Sequence, residues 1–166
     1  INDAELAFKI ILKKAPTTRP QTVAYISAEK KYYIADGGLA PMGSAYEAPI
    51  SKSLIHTYDD QGKYLDSTKP GFDNRSIYFN QKTFQLETIT YNISSQAGFA
   101  PMTGIFSLER NDEGFLTGKS KAISNFAPAF GSASTMPTYD FKKNLYYAKQ
   151  EKLNEVLVVD AKDFQL

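Results

Sequence analysis

The chain has 166 residues, enough for one hydrophobic core, and its 19 basic and 18 acidic residues leave a net charge of +1. That balance gives no electrostatic basis for binding nucleic acid or an acidic membrane surface, and no apolar run approaches the roughly 18–20 residues of a membrane-spanning helix. Cysteine is absent, which excludes disulfides and thiolate metal sites.

Eleven Tyr and eleven Phe, with no Trp, suit half-buried strands. The sequence opens on Ile1 rather than Met, so a processed or partial chain is expected. A removed secretion signal would make it extracytoplasmic, either secreted or periplasmic.

In chain order, Ala7 to Lys13 reads as a strand with Phe8, Ile10 and Leu12 on one face. Pro16 and Pro20 end it. Val23–Ser27 and Lys31–Ala35 form a hairpin over Ala28-Glu29-Lys30, and Asp36-Gly37-Gly38 breaks the second strand. A long loop, Leu39 to Lys52, leads to a second hairpin, Ser53–Tyr58 and Lys63–Asp66, around Asp59-Asp60-Gln61-Gly62.

The same order then returns. Ser76–Asn80 and Phe84–Tyr91 are predicted strands, followed by a loop holding Gly98-Phe99-Ala100-Pro101-Met102. That loop matches Gly38-Leu39-Ala40-Pro41-Met42 in the same relative place. Ile105–Glu109 and Phe115–Thr117 close the second unit, and Thr138–Phe141, Leu145–Lys149 and Glu155–Asp160 make a third. Tyr25, Tyr78 and Tyr139 anchor the three units, spaced 53 and 61 residues apart, and each is followed eight positions on by Tyr33, Leu86 or Tyr147.

Tandem units of antiparallel strands predict an all-β fold, a β-propeller of four-stranded blades. The blades fall at about 22–66, 75–117 and 136–166, with the N-terminal strand 7–13 completing one of them. The alternative is a β-sandwich, which does not require the tyrosine-anchored repeat.

The tyrosine-anchored hairpins and the run LVVDAKDF at 157–164 resemble those of the six- and seven-bladed NHL-like, YVTN-like and TolB-like propeller families. The resemblance extends over nearly all of the chain. It departs from the tryptophan–aspartate repeat propellers, since there is no Trp. It implies a scaffold that binds proteins, peptides or sugars, with lactonases among its enzymes.

Loop lengths point to one face. The first-to-second and third-to-fourth connections of each unit are short, whereas 36–52, 66–75, 92–104 and 118–137 are long and fall on the opposite side. Long loops on a rigid scaffold are where binding residues gather. Met42, Tyr46, Phe99, Met102, Phe126 and Phe130 lie in these loops, and Arg75 opens the second unit. These seven are the expected ligand-binding residues, because Met and aromatics on a polar rim suit an interface.

Catalytic chemistry has little to work with. His56 is the one histidine, on a predicted strand, and no Gly-x-Ser-x-Gly elbow accompanies it; a structural role is expected. Asp59-Asp60 and Asp112-Glu113 lack the spaced loop that calcium needs and read as turn residues. Asn92-Ile93-Ser94 is a glycosylation sequon.

The expectation is a non-catalytic binding module for a protein, peptide or carbohydrate, with no cofactor. The alternative is a metal-dependent propeller hydrolase or lactonase using Glu47, Asp73 and Asn74. Three blades fall short of the four or so a closed propeller needs. A six-bladed ring is therefore expected, made either by two copies that each donate Phe8–Leu12 or with the missing remainder of a longer chain. The abrupt look of both ends favours the remainder.

Overall fold

A computed structural model describes residues 7–13, 20–36, 54–70, 74–90, 104–124, 138–149 and 154–163. Within them every regular element is a strand, paired antiparallel into three sheets. Sheet 1 holds β1 (Pro20–Ile26), β2 (Lys31–Asp36), β3 (Leu54–Asp59) and β4 (Tyr64–Thr68) in that order. Sheet 2 holds β5 (Asn74–Asn80), β6 (Gln85–Thr90), β7 (Gly104–Arg110) and β8 (Leu116–Ser124). Sheet 3 holds β9 (Thr138–Asp140), β10 (Leu145–Lys149) and β11 (Val156–Asp160). The described residues thus make three sheets, where a sandwich would have two.

Sheet 2 lies between the other two, and the strand period of two explains how. On one face, Ile77, Leu86, Phe106 and Leu108 join Ala24, Ile26, Tyr33, Ala35 and Ile55 of sheet 1 in one core. On the other, Ile105, Tyr78 and Ile123 pack with Tyr146, Ala148, Val159 and Tyr139 of sheet 3 in a second core. The first interface spans the sheets from edge to edge. Ile77 N donates to Thr22 Oγ1 (2.9 Å) between β5 and β1, and Thr68 Oγ1 donates to Leu116 O (3.4 Å) between β4 and β8.

Local chemistry repeats with the sheets. The β3–β4 and β7–β8 turns are the same object: Asp59 and Asn111 each close a backbone pair with the residue four positions on, and Gly62 and Gly114 each take φ +80°. Asp59 Oδ1 accepts from Gln61 N and Lys63 N, and Asn111 Oδ1 accepts from Glu113 N and Phe115 N. The side-chain oxygen does for the turn what a backbone carbonyl would. The β1–β2, β5–β6 and β9–β10 turns end on Lys30, Phe84 and Asn144, all left-handed at φ 51°, 58° and 61°.

Two readings need correcting. Residues 7–12 are not a strand; they run without regular pairing beside the β3–β4 turn, where Lys13 N donates to Gly62 O (3.1 Å). Alternating apolar residues can mark a strand only where a partner ladder is present. The cross-strand register runs on a different spacing from the eight-residue sequence repeat. Tyr25 pairs with Tyr32, Phe79 with Leu86 and Tyr139 with Tyr146, a spacing of seven after equal four-residue turns. The residue eight positions from each sequence anchor is therefore not its cross-strand partner; Tyr78 pairs with Glu87, nine positions on. In addition β8 runs to Ser124, well past the expected Thr117.

Candidate functional site: a groove along the first strands

The first strand of every sheet faces the same space. Thr22 and Val23 of β1, Ser76, Ile77, Tyr78 and Phe79 of β5, and Thr138 and Tyr139 of β9 line one groove of about 350 Å³, with Gln81 and Phe141 at its end. Tyr78 and Tyr139 stack across the sheet boundary with ring centroids 6.2 Å apart at 25°. The lining residues are aromatic (Tyr78, Phe79, Tyr139, Phe141) and hydroxyl-bearing (Thr22, Ser76, Thr138), with Ser76 buried and Thr22 Oγ1 accepting from Ile77 N. Such a surface can stack against a flat apolar group while hydrogen-bonding its rim.

Behind the groove lies a buried carboxylate. Glu87 on β6 accepts from Tyr78 OH (2.6 Å) and Tyr146 OH (2.8 Å) at Oε2, and from Asn80 Nδ2 (2.9 Å) and Thr83 Oγ1 (3.4 Å) at Oε1. Four donors on one carboxylate replace the water it lost on burial. Burial, reinforced by the Glu87 charge, pushes the Tyr78 and Tyr146 hydroxyls well above the ordinary tyrosine range. They are donors throughout the physiological range. Tyr78 both lines the groove and bonds Glu87, so this network fixes one wall of the groove.

The corresponding contact between sheets 1 and 2 also uses a tyrosine and a glutamate. Tyr33 OH donates to Glu29 Oε2 (2.6 Å) and lies 2.7 Å from Gly114 O, while Arg110 pairs with Glu29 and donates to Phe84 O (2.9 Å). Burial, with Glu29 next in weight, raises the Tyr33 hydroxyl too. These bonds draw the short turns of sheets 1 and 2 to one end of the stack, and Tyr146 with Glu87 does the same for sheet 3. The connections at 37–53, 69–73, 91–103 and 125–137 accordingly leave from the opposite ends of the strands.

His56 belongs elsewhere. It is buried on β3, with Nε2 3.0 Å from Asp36 Oδ2 on β2 and Nδ1 2.6 Å from Ser67 Oγ on β4, and Tyr64 OH lies 2.8 Å from the same Oγ. Sequence reading isolated the histidine but not its partners, which are far apart in sequence. Their pairing follows from strand register, since His56 stands opposite Ser67 and Ile34. Both ring nitrogens are engaged and the ring is closed off from solvent, so the cluster braces three strands.

Of the residues expected to bind ligand, Met42, Tyr46, Phe99, Met102, Phe126 and Phe130 lie outside the described residues. Arg75 is on β5, with only its backbone described. Glu47 and Asp73 are likewise outside, and Asn74 opens β5. Among the described residues no three His, Cys, Asp or Glu side chains come together as metal ligands, and no helix is long and apolar enough to cross a membrane. The groove residues Thr22, Gln81, Thr138, Tyr139 and Phe141 were not singled out as ligand-binding from sequence; the signal available was that they open or close the first strand of each repeat. No protein-family model matches the sequence, and no curated protein matches it.

Proposed function

We propose that the chain is a non-catalytic binding module of β-propeller type, each sheet being a blade, and that its ligand is a carbohydrate, peptide or protein segment. One observation carries this reading: the first strands of three successive sheets converge on a single aromatic and hydroxyl-lined groove. The connections 69–73 and 125–137 lead into first strands that line the groove, and Phe99 and Met102 are proposed to extend the surface along which a ligand lies. Flat aromatic faces beside hydroxyl donors fit a sugar ring or an extended peptide better than a phosphate, and the near-neutral charge agrees.

A thermal-shift screen against oligosaccharide and peptide panels tests it. Phe141 is half exposed and not part of either core cluster, so Phe141→Ser is expected to weaken a hit about tenfold while moving Tm by only a few degrees. The double variant Phe99→Ser with Met102→Ser is expected to behave alike. A ligand whose affinity ignores both variants would sink the proposed surface.

A further inference from the structure

The two interfaces inside the stack obey one rule. In each sheet the second residue of the second strand looks back to the preceding sheet, and the third looks ahead to the next. Leu86 looks back into the core shared with sheet 1, and Tyr146 looks back to Glu87. Tyr33 looks ahead to the Gly114 carbonyl, and Glu87 looks ahead to Tyr146. Strand alternation then puts Tyr32 on the back of sheet 1 and Tyr147 on the front of sheet 3.

Each of these faces exposes apolar residues over part of its width. The β1–β2 half of the back of sheet 1 is open, while His56 and Tyr58 of β3 on the same face are buried. On the front of sheet 3 the valines share the face with Asp140, Lys149 and Asp160. On the back of sheet 1, Val23 is 60% exposed and Tyr25 41%, beside their cross-strand neighbours Ile34 and Tyr32. On the front of sheet 3, Val156 is 58% exposed and Val158 39%, the latter opposite Tyr147. Sheet 3 is also short of a strand beside sheets 1 and 2, for among the described residues β11 pairs only with β10. The run from Phe8 to Leu12, with Phe8 and Ile11 exposed, lies at the outer end of sheet 1. There Ile10 and Ile11 crowd Gly62.

We propose that the occupant of both faces is a second copy of this chain, placed head to tail. The front of its sheet 3 continues the internal stack onto the back of sheet 1, with Tyr147 entering the position that Tyr33 and Glu87 take at the internal interfaces. Phe8–Leu12 of the first copy then becomes the strand beyond β11 of the second. The same contact, repeated by a twofold axis, closes six sheets and surrounds the groove with the first strands of both copies. Continuity favours this occupant over an unrelated protein: the chain already makes two interfaces of this kind with itself, and the open faces are the next back and the next front in the series. A head-to-tail contact of this sort either closes or grows into a fibre. The inference stands on sheet register and does not need the groove to take a ligand.

Light scattering on the whole chain tests it, and the expected mass is twice 18.5 kDa. Val23→Lys on the back and Val158→Glu on the front should each weaken the dimer about tenfold or more. Mixing the two variants should restore it, because the mixed pair has one unaltered contact and one Lys–Glu contact. A back-to-back dimer would show no such rescue. Both positions are exposed, and Tyr25→Ser with Val156→Ser provides a milder pair if either charge disturbs folding. A monodisperse monomer, a dimer indifferent to both substitutions, or an aggregate that neither dissolves would overturn the proposal.

Discussion

Glu87 decides more than any other single residue. Its carboxylate collects donors from β5, the β5–β6 turn and β10, so one side chain registers sheet 2 against sheet 3. Glu87→Ala removes the acceptor and leaves two tyrosine hydroxyls and an asparagine amide buried without it, a loss of about 3 kcal/mol. Glu87→Gln keeps one oxygen and the volume, so chemical denaturation should place it near 1 kcal/mol. Equal losses from the two variants would mean that volume, not hydrogen bonding, is what the site needs. The same tyrosines set the alkaline limit. Folding raises the Tyr33, Tyr78 and Tyr146 pKa values above those of the unfolded chain. Their neutral forms therefore support the fold fully below about pH 10, and that support is lost as pH climbs beyond it. Ellipticity followed from pH 8 upward should hold to about 10 and then fall together with the rise of tyrosinate absorbance. Ionisation of these three well ahead of unfolding would contradict the burial argument.

At the scale of elements, eleven of the twelve strands expected from alternation and turn residues are present, because hairpin turns announce themselves locally. Asp59-Asp60-Gln61-Gly62 and Asn111-Asp112-Glu113-Gly114 carry the Asx oxygen and the positive-φ glycine in the chain itself. Register was less legible. An eight-residue spacing and a seven-residue spacing fit the same tyrosine-rich strands, since KYYIA and LYYAK offer adjacent tyrosines, and only packing decides which one is buried: Tyr33 in the first sheet, Tyr146 in the third. The Phe8–Leu12 strand failed for a related reason, in that alternation describes a face and not the neighbour a strand needs. The groove was hidden because it joins residues from three sheets. Left-handed turn endings also escaped notice where no Gly or Asn marks them. Lys30 is exposed, at φ 51°, where Asn144 stands in the third sheet. A lysine in that region is strained and asparagine tolerates it, so Lys30→Asn should raise stability by about 0.5 kcal/mol, read as a higher Tm. A lower Tm would mean that the turn depends on the lysine side chain.

For the whole molecule, the order of the sheets predicts where the fold is strongest. Sheet 2 is covered on both faces, by the core around Leu86, Phe106 and Leu108 on one side and the core around Ile105 on the other. Sheets 1 and 3 each bury one face against it and leave exposed valines on the other. In a stack of this kind, stability is roughly each sheet's own contribution plus its contacts with neighbours, so the middle sheet draws on two interfaces and the end sheets on one. Sheet 3 is the weaker end. Among the described residues it has three strands to sheet 1's four, and fewer described residues make up its core. Native-state hydrogen exchange should therefore rank the amides of β5, β6 and β7 as the most protected, those of β2 and β3 next, and those of β10 and β11 as the first to open. Ile105→Ala leaves a cavity in the second core and should cost about 2–5 kcal/mol, and the exchange of β10 should accelerate more than that of β2. If the loss spread equally over all three sheets, unfolding would be a single cooperative event and the additive picture would fail. If β2 opened before β10, the ranking of the two ends would be reversed, and with it the claim that the three-stranded sheet is where this stack comes apart.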